Sequence, residues 1–144
     1  MDGVRKSITI NATPEQCYDI IWDFARYPEY QREMKAVTVH KDAPDKSSAE
    51  VTFRAEVMKE VEYTLRFTGT RPRGFHWTQT KGFFKKNDGG WDFKDLGDGR
   101  TEATYSLDFA IGGLVPKAVL NKLIEANFPN MLRTFKERIE NLVG

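Results

Sequence analysis

Apolar and polar residues change period twice along the chain, which divides it into three stretches. In the first, Ser7-Ile8-Thr9-Ile10 alternates as a strand does. Thr13-Pro14-Glu15-Gln16 then offers an N-cap threonine, a first-turn proline and a capping-box glutamine, so a helix begins there. Cys17, Ile20, Ile21 and Phe24 recur at helical spacing, and the run must falter before Pro28, which pushes its predecessor toward extended geometry. Arg26 to Arg32 is expected to form a second short turn or helix.

From Met34 to Ile111 the period is two. Val51, Phe53, Ala55 and Val57 alternate with Thr52, Arg54 and Glu56, and Val61, Tyr63, Leu65 and Phe67 alternate with Glu62, Thr64 and Arg66. The pattern continues through Phe75 and Trp77, Trp91 and Phe93, and Tyr105, Leu107 and Phe109. Turn signals stand at Ala43-Pro44-Asp45, Arg71-Pro72-Arg73-Gly74, Asn87-Asp88-Gly89-Gly90 and Gly97-Asp98-Gly99. An antiparallel meander of six to seven strands follows, greasy on one face and wet on the other.

In the third stretch the helical period returns after Gly112-Gly113 and Pro116, through Leu120, Leu123, Ile124, Phe128, Met131, Leu132, Phe135, Ile139 and Leu142. Pro129 lies inside this run and predicts a kink or brief break near Asn127. One-faced sheet plus amphipathic helix makes an α+β layer structure. Where a curved sheet wraps such a helix, aromatics and aliphatics need not meet everywhere, and the apolar gap between them suits an apolar guest.

Composition narrows the partners. The 144 residues suit a single domain, 1–144, with no linker or repeat. A formal net charge of +1 provides no field to recruit nucleic acid or an anionic membrane. Cys17 is the sole cysteine, which excludes an intramolecular disulfide and a thiolate zinc site and fits a reducing cytoplasm. The N-terminal residues lack an apolar signal core, and no apolar run approaches the ~20 residues of a membrane helix. The expectation is a cytoplasmic protein without stable membrane insertion. Its oligomeric state is not legible.

Candidate chemistry is sparse. His40 and His76 are the only near-neutral bases; parity puts His76 on the outer face with Thr78 and Thr80, and His40 ends a strand beside Lys41 and Asp42. No metalloprotease, nucleophile-elbow, phosphate-loop or dinucleotide motif is present, and Cys17 sits on an apolar helix face as a packed thiol would. Glu56, Glu62, Asp92, Glu102 and Asp108 share outward parity, as do Arg54 and Arg66, and Lys81, Lys85 and Lys86 read as a solvated cluster. No catalytic residue, metal ligand or cofactor is assigned. Gln79, Thr101 and the hydroxyls of Tyr63 and Tyr105 are the polar groups expected to face inward, where they could orient a ligand carbonyl or hydroxyl.

Three stretches carry a family likeness. They are Ala12-Thr13-Pro14-Glu15-Gln16 running into Asp23-Phe24-Ala25-Arg26-Tyr27-Pro28-Glu29-Tyr30, then Val61-Glu62-Tyr63-Thr64-Leu65-Arg66-Phe67, then Gly82-Phe83-Phe84-Lys85 through Gly89-Gly90-Trp91-Asp92-Phe93 to Thr104-Tyr105-Ser106-Leu107. In order and spacing the chain resembles the polyketide cyclase/dehydrase and coenzyme Q-binding branch of the START-like helix-grip superfamily. The resemblance implies a curved sheet gripping the last helix, two short helices after the first strand, and a deep apolar pocket roofed by the long helix. It also makes Trp22, Phe24, Tyr27 and Tyr30 an aromatic hinge bent at Pro28, with the two tyrosine hydroxyls at a half-wet rim. Two features depart from quinone-binding relatives, which tend to be apolar there: Gln31-Arg32-Glu33 is polar, and Asn87 marks a hairpin tip expected to be solvated.

The resulting expectation is a binding or transport protein for a small hydrophobic or aromatic molecule. Its lining is drawn from Phe53, Tyr63, Leu65, Phe67, Trp77, Gln79, Trp91 and Phe93 on the early strands, Tyr105 and Leu107 on the last strand, and Leu123, Phe128, Met131 and Phe135 on the helix. Gating falls to Tyr27, Tyr30 and Gly112-Gly113. The alternatives are a polyketide aromatase/cyclase or dehydrase working in the same cavity, mainly by positioning, and a protein-interaction module.

Overall fold

A computed structural model describes residues 3–57, 59–111 and 116–144, with the side chains of residues 3, 57, 117, 120, 121, 123, 124 and 126 outside that description. Strand β1 (Gly3–Ile10) leads into helix α1 (Pro14–Trp22). Thr13 caps α1 reciprocally with Gln16: the Gln16 amide donates to Thr13 Oγ1 at 3.2 Å, and the Thr13 amide donates to Gln16 Oε1 at 2.9 Å. A 3-10 helix, Phe24–Glu29, follows at the bend around Pro28.

Six strands come next: β2 (Met34–Asp42), β3 (Ser48–Val57), β4 (Lys59–Thr70), β5 (Gly74–Gly82), β6 (Lys86–Gly97) and β7 (Arg100–Ala110). Helix α2 (Lys117–Val143) closes the chain and, at 27 residues, is about 40 Å long. The strands form one antiparallel sheet in the order β1-β7-β6-β5-β4-β3-β2. Since β1 and β2 occupy opposite edges, α1 and the 3-10 turn must carry the chain from one edge to the other. The aromatic bend is the middle of that crossing.

The rings there are structural. Trp22 stacks on Tyr18 at 5.6 Å and its indole N–H donates to Asp42 Oδ1 at 2.9 Å, fastening the crossing to the end of β2. Phe24 lies 4.2 Å from the Phe67 ring on β4. Tyr27 corrects the expectation of a half-wet hydroxyl: only 8% exposed, it donates to the Ile21 carbonyl at 2.6 Å. That bond closes the turn upon α1 and leaves no hydroxyl for solvent. Tyr30 is half-buried, with the Arg138 guanidinium 4.7 Å above its ring.

Two further expectations need correction. The Asn87-Asp88-Gly89-Gly90 run is not a turn; it lies within β6, and residues 83–85 make the connection from β5. Gly89 is required by a close approach: a Cβ there would sit 2.5 Å from Cζ2 of the Trp77 indole. And α2 runs across Pro129 without a break near Asn127. Pro129 is exposed, so water can serve the Glu125 carbonyl that loses its donor. Among the described residues, no helix is long and apolar enough to cross a membrane.

Candidate functional site: an aromatic cavity under the closing helix

The inner faces of β3 to β7 are aromatic because every second residue points inward. Phe53, Phe67, Trp77, Trp91 and Tyr105 are all buried and belong to one core cluster with Phe135 of α2. Helix and sheet touch where Phe135 meets Trp91 at 5.4 Å and Phe128 meets Tyr105 at 5.5 Å. Around these contacts the layers do not fill the space between them, and a cavity of about 220 Å³ remains. That exceeds the ~150 Å³ of an apolar cavity known to accept benzene.

Twelve residues expected from the sequence line this space. Tyr27 enters from the crossing; Phe53, Tyr63, Leu65, Phe67, Trp77 and Trp91 come from β3 to β6; Tyr105 and Leu107 from β7; and Phe128, Met131 and Phe135 from α2. Three expected residues lie elsewhere. Phe93 is in the core but packs against Tyr18 and Phe75 toward the α1 end of the sheet, at 6.2 and 6.3 Å. Tyr30 stands behind Tyr27 and Phe135, at 5.9 and 5.6 Å, screened from the cavity by them. Gln79 donates to the Phe84 carbonyl at 2.7 Å and is held against the chain after β5. Thr101, also expected inward, is buried and donates to the Ala12 carbonyl at 2.7 Å. The Leu123 side chain and the Gly112-Gly113 gate lie outside the described residues.

The sequence reading missed Gln31, Glu33, Met34, Ala55, Glu56, Phe84, Asn87, Phe109 and Asn127, which also line the cavity. Asn87 is the main correction: expected at a solvated tip, it is 7% exposed and its Oδ1 accepts the Trp77 indole N–H at 3.1 Å. Parity could have found it, since Asn87 shares its face of β6 with Trp91, but the glycines after it read as a turn. Gln31 is likewise buried, and its amide donates to the Met131 carbonyl at 3.3 Å, tying the crossing to α2.

Electrostatically the lining is neutral inside and acidic at its edge. Among the described lining residues there is no Lys, Arg or His. Glu56 is exposed and Glu33 half-buried, so the two carboxylates mark where the cavity reaches solvent. Lys35 Nζ stands 3.9 Å from Glu56. Burial pushes the Tyr63 phenol above its ordinary range, and burial, with Tyr63 nearby, does the same for Tyr105. Both therefore stay protonated at neutral pH. Cys17 lies apart, on the buried face of α1, where burial raises its thiol to about 11.

The family described as polyketide cyclase / dehydrase and lipid transport matches residues 10–136. The chain belongs to that family. The match spans the capped α1, strands β2 to β7 and the cavity-lining part of α2. Ribosome association toxin RatA of Pseudomonas aeruginosa is 25% identical over 141 residues, which are 98% of this chain and 97% of that relative. A START superfamily protein from Mycobacterium smegmatis superposes with a TM-score of 0.87 at 20% identity, over 97% of this chain and 98% of that one. The Zhui aromatase/cyclase from Streptomyces sp. R1128 superposes at 0.86 with 16% identity, over 99% and 95%. The structural matches establish the START-type helix-grip fold. Membership of that family supports a role in handling a hydrophobic ligand.

Proposed function

We propose that this protein binds and carries a small apolar or aromatic molecule between its sheet and α2. One observation carries the reading: an aromatic-lined cavity of about 220 Å³ persists between two layers that otherwise pack ring against ring. Burying a ligand's apolar area at roughly 25 cal/mol per Å² drives association. The rings lose little entropy on binding because neighbouring rings already hold them. Native mass spectrometry and solvent extraction of the purified protein test the reading. A co-purifying apolar molecule, or saturable uptake of naphthalene by the emptied protein, supports it; the absence of both overturns it.

Catalysis is the alternative within the same cavity, and the likeness to an aromatase/cyclase favours it. With no base among the described interior lining residues, such an enzyme would act by holding a poly-β-ketone folded for ring closure. Product formation from a reactive poly-β-ketone faster than in buffer would favour it over simple carriage. An interaction role draws support from the RatA similarity, and co-sedimentation with ribosomes tests that.

A further inference from the structure

The polar groups of the cavity are unevenly matched. Tyr63 is stacked on Phe53 at 5.6 Å and edged by Phe84 at 5.2 Å. Tyr105 is 8% exposed and wedged between Trp77 at 5.6 Å and Trp91 at 5.1 Å. Both phenols line the cavity, and neither hydroxyl has a hydrogen-bond partner among the described residues. Asn87 adds a third group. A tryptophan N–H can only donate, so the atom facing Trp77 must be Oδ1, and the amide nitrogen is left over. Each of these three groups offers a proton.

Donors that face the cavity without a protein acceptor lose their water partners when a ligand fills it, which costs affinity unless the ligand accepts from them. A ligand that supplies an oxygen acceptor relieves that cost; a bare hydrocarbon does not. An anion would also bring an acceptor, but it would enter past Glu33 and Glu56 into an interior with no cation among its described residues. A buried carboxylate without a partner is strongly disfavoured.

We infer that Tyr63, Tyr105 and Asn87 select a neutral aromatic ligand of one or two rings that carries an acceptor oxygen, and that the cavity rejects the carboxylate analogue. The inference rests on the binding role proposed above and names what that site prefers. Three probes of one shape separate its parts: naphthalene, 2-acetylnaphthalene and 2-naphthoate at pH 7, measured by equilibrium dialysis. The ketone should bind about three- to tenfold tighter than naphthalene, the range one or two recovered hydrogen bonds give, and 2-naphthoate at least tenfold weaker than the ketone.

Tyr63→Phe and Tyr105→Phe should each narrow the ratio of ketone to naphthalene affinity. The ratio within one variant cancels any general change in packing, and unfolding curves establish that each variant is folded. Naphthalene and the ketone binding equally, a ratio untouched by both substitutions, or 2-naphthoate binding as tightly as the ketone would overturn the inference while leaving the cavity a binding site. No uptake of any probe would instead remove the binding role itself, and the inference with it.

Discussion

The indole nitrogen of Trp77 on β5 donates to Asn87 Oδ1 on β6 at 3.1 Å, inside the cavity wall. Trp77 pairs with Gly89 near the end of the β5–β6 ladder, and Asn87 lies one residue past the last pair, Thr78 with Asp88, so this side-chain bond extends the seam just beyond the ladder on the β6 side. Replacing Asn87 with Leu keeps the volume and removes the acceptor, which leaves a buried N–H unpaired. Urea unfolding should show a loss of about 1–3 kcal/mol. Thr78→Val, which removes the exposed Thr78–Asp88 bond at 2.6 Å on the other face, should change stability by less than ~0.5 kcal/mol. Equal effects would mean the seam is not held from inside.

Gly89→Ala should displace the Trp77 ring and strain the pairing of β6 with β7, because the new methyl would sit 2.5 Å from both Cζ2 and the Ser106 carbonyl oxygen. Overpacking of this kind costs about 1–3 kcal/mol. The indole lines the cavity, so its displacement should lower naphthalene uptake and shift tryptophan emission. Unchanged emission and uptake would show that the backbone, not the ring, gives way.

Parity can be tested directly by comparing uptake after Trp77→Ala and after Thr78→Ala. Trp77 lines the cavity and Thr78 is exposed on the opposite face. Uptake should weaken only in the first. Trp77→Ala should also cost ~3–5 kcal/mol, so binding must be measured at a temperature where the variant is folded. Phe128→Ala, from the half-buried part of α2, alters the same wall from the helix side and should also change uptake.

Acid should release α1 from the turn between β4 and β5. Arg71 grips Asp19 through two bonds, Nε to Oδ1 at 2.7 Å and Nη2 to Oδ2 at 2.8 Å, and this hydrogen bonding is the main cause holding the Asp19 carboxyl below its ordinary 3.8. A depressed folded-state value means that the contribution is fully present above the unfolded value and is lost as pH falls through the folded one. The stability difference between the native chain and Asp19→Asn should be constant from pH 7 to 5 and should shrink only below about 4, vanishing as the carboxyl protonates. A difference that disappears already near pH 6 would assign it to another group.

Cys17 should behave as an inert thiol. With its titration raised to about 11 by burial, it carries almost no thiolate at pH 8. A disulfide reagent should label it only on the timescale of unfolding; fast labelling of the folded chain would contradict the burial of α1.

Much of this architecture was legible because period is a local property. Alternation in Phe53, Leu65 and Trp77 identifies an inward face whatever the strand pairs with, and Thr13 with Gln16 identifies a helix start from four residues. Eleven of the lining residues sit on the faces that period identifies, and the twelfth, Tyr27, came from the family resemblance. What was not legible depended on neighbours distant in sequence. Phe93 has the same parity as Trp91, yet only the position of α1 makes it core; Tyr27 looks amphipathic until the 3-10 turn brings its hydroxyl to the Ile21 carbonyl.

The sequence by itself determined that the sheet has one aromatic face and that a long amphipathic helix must cover it, because hydrophobic periodicity dictates which surfaces leave water. Only the tertiary structure decided that the two surfaces stop short of complete contact. It also decided that the space left is lined by two phenols and an asparagine amide with protons to donate. Packing distance and hydrogen-bond satisfaction are properties of facing pairs, and the pairs that matter, Trp77 with Asn87 and Tyr105 with Phe128, are made by the fold.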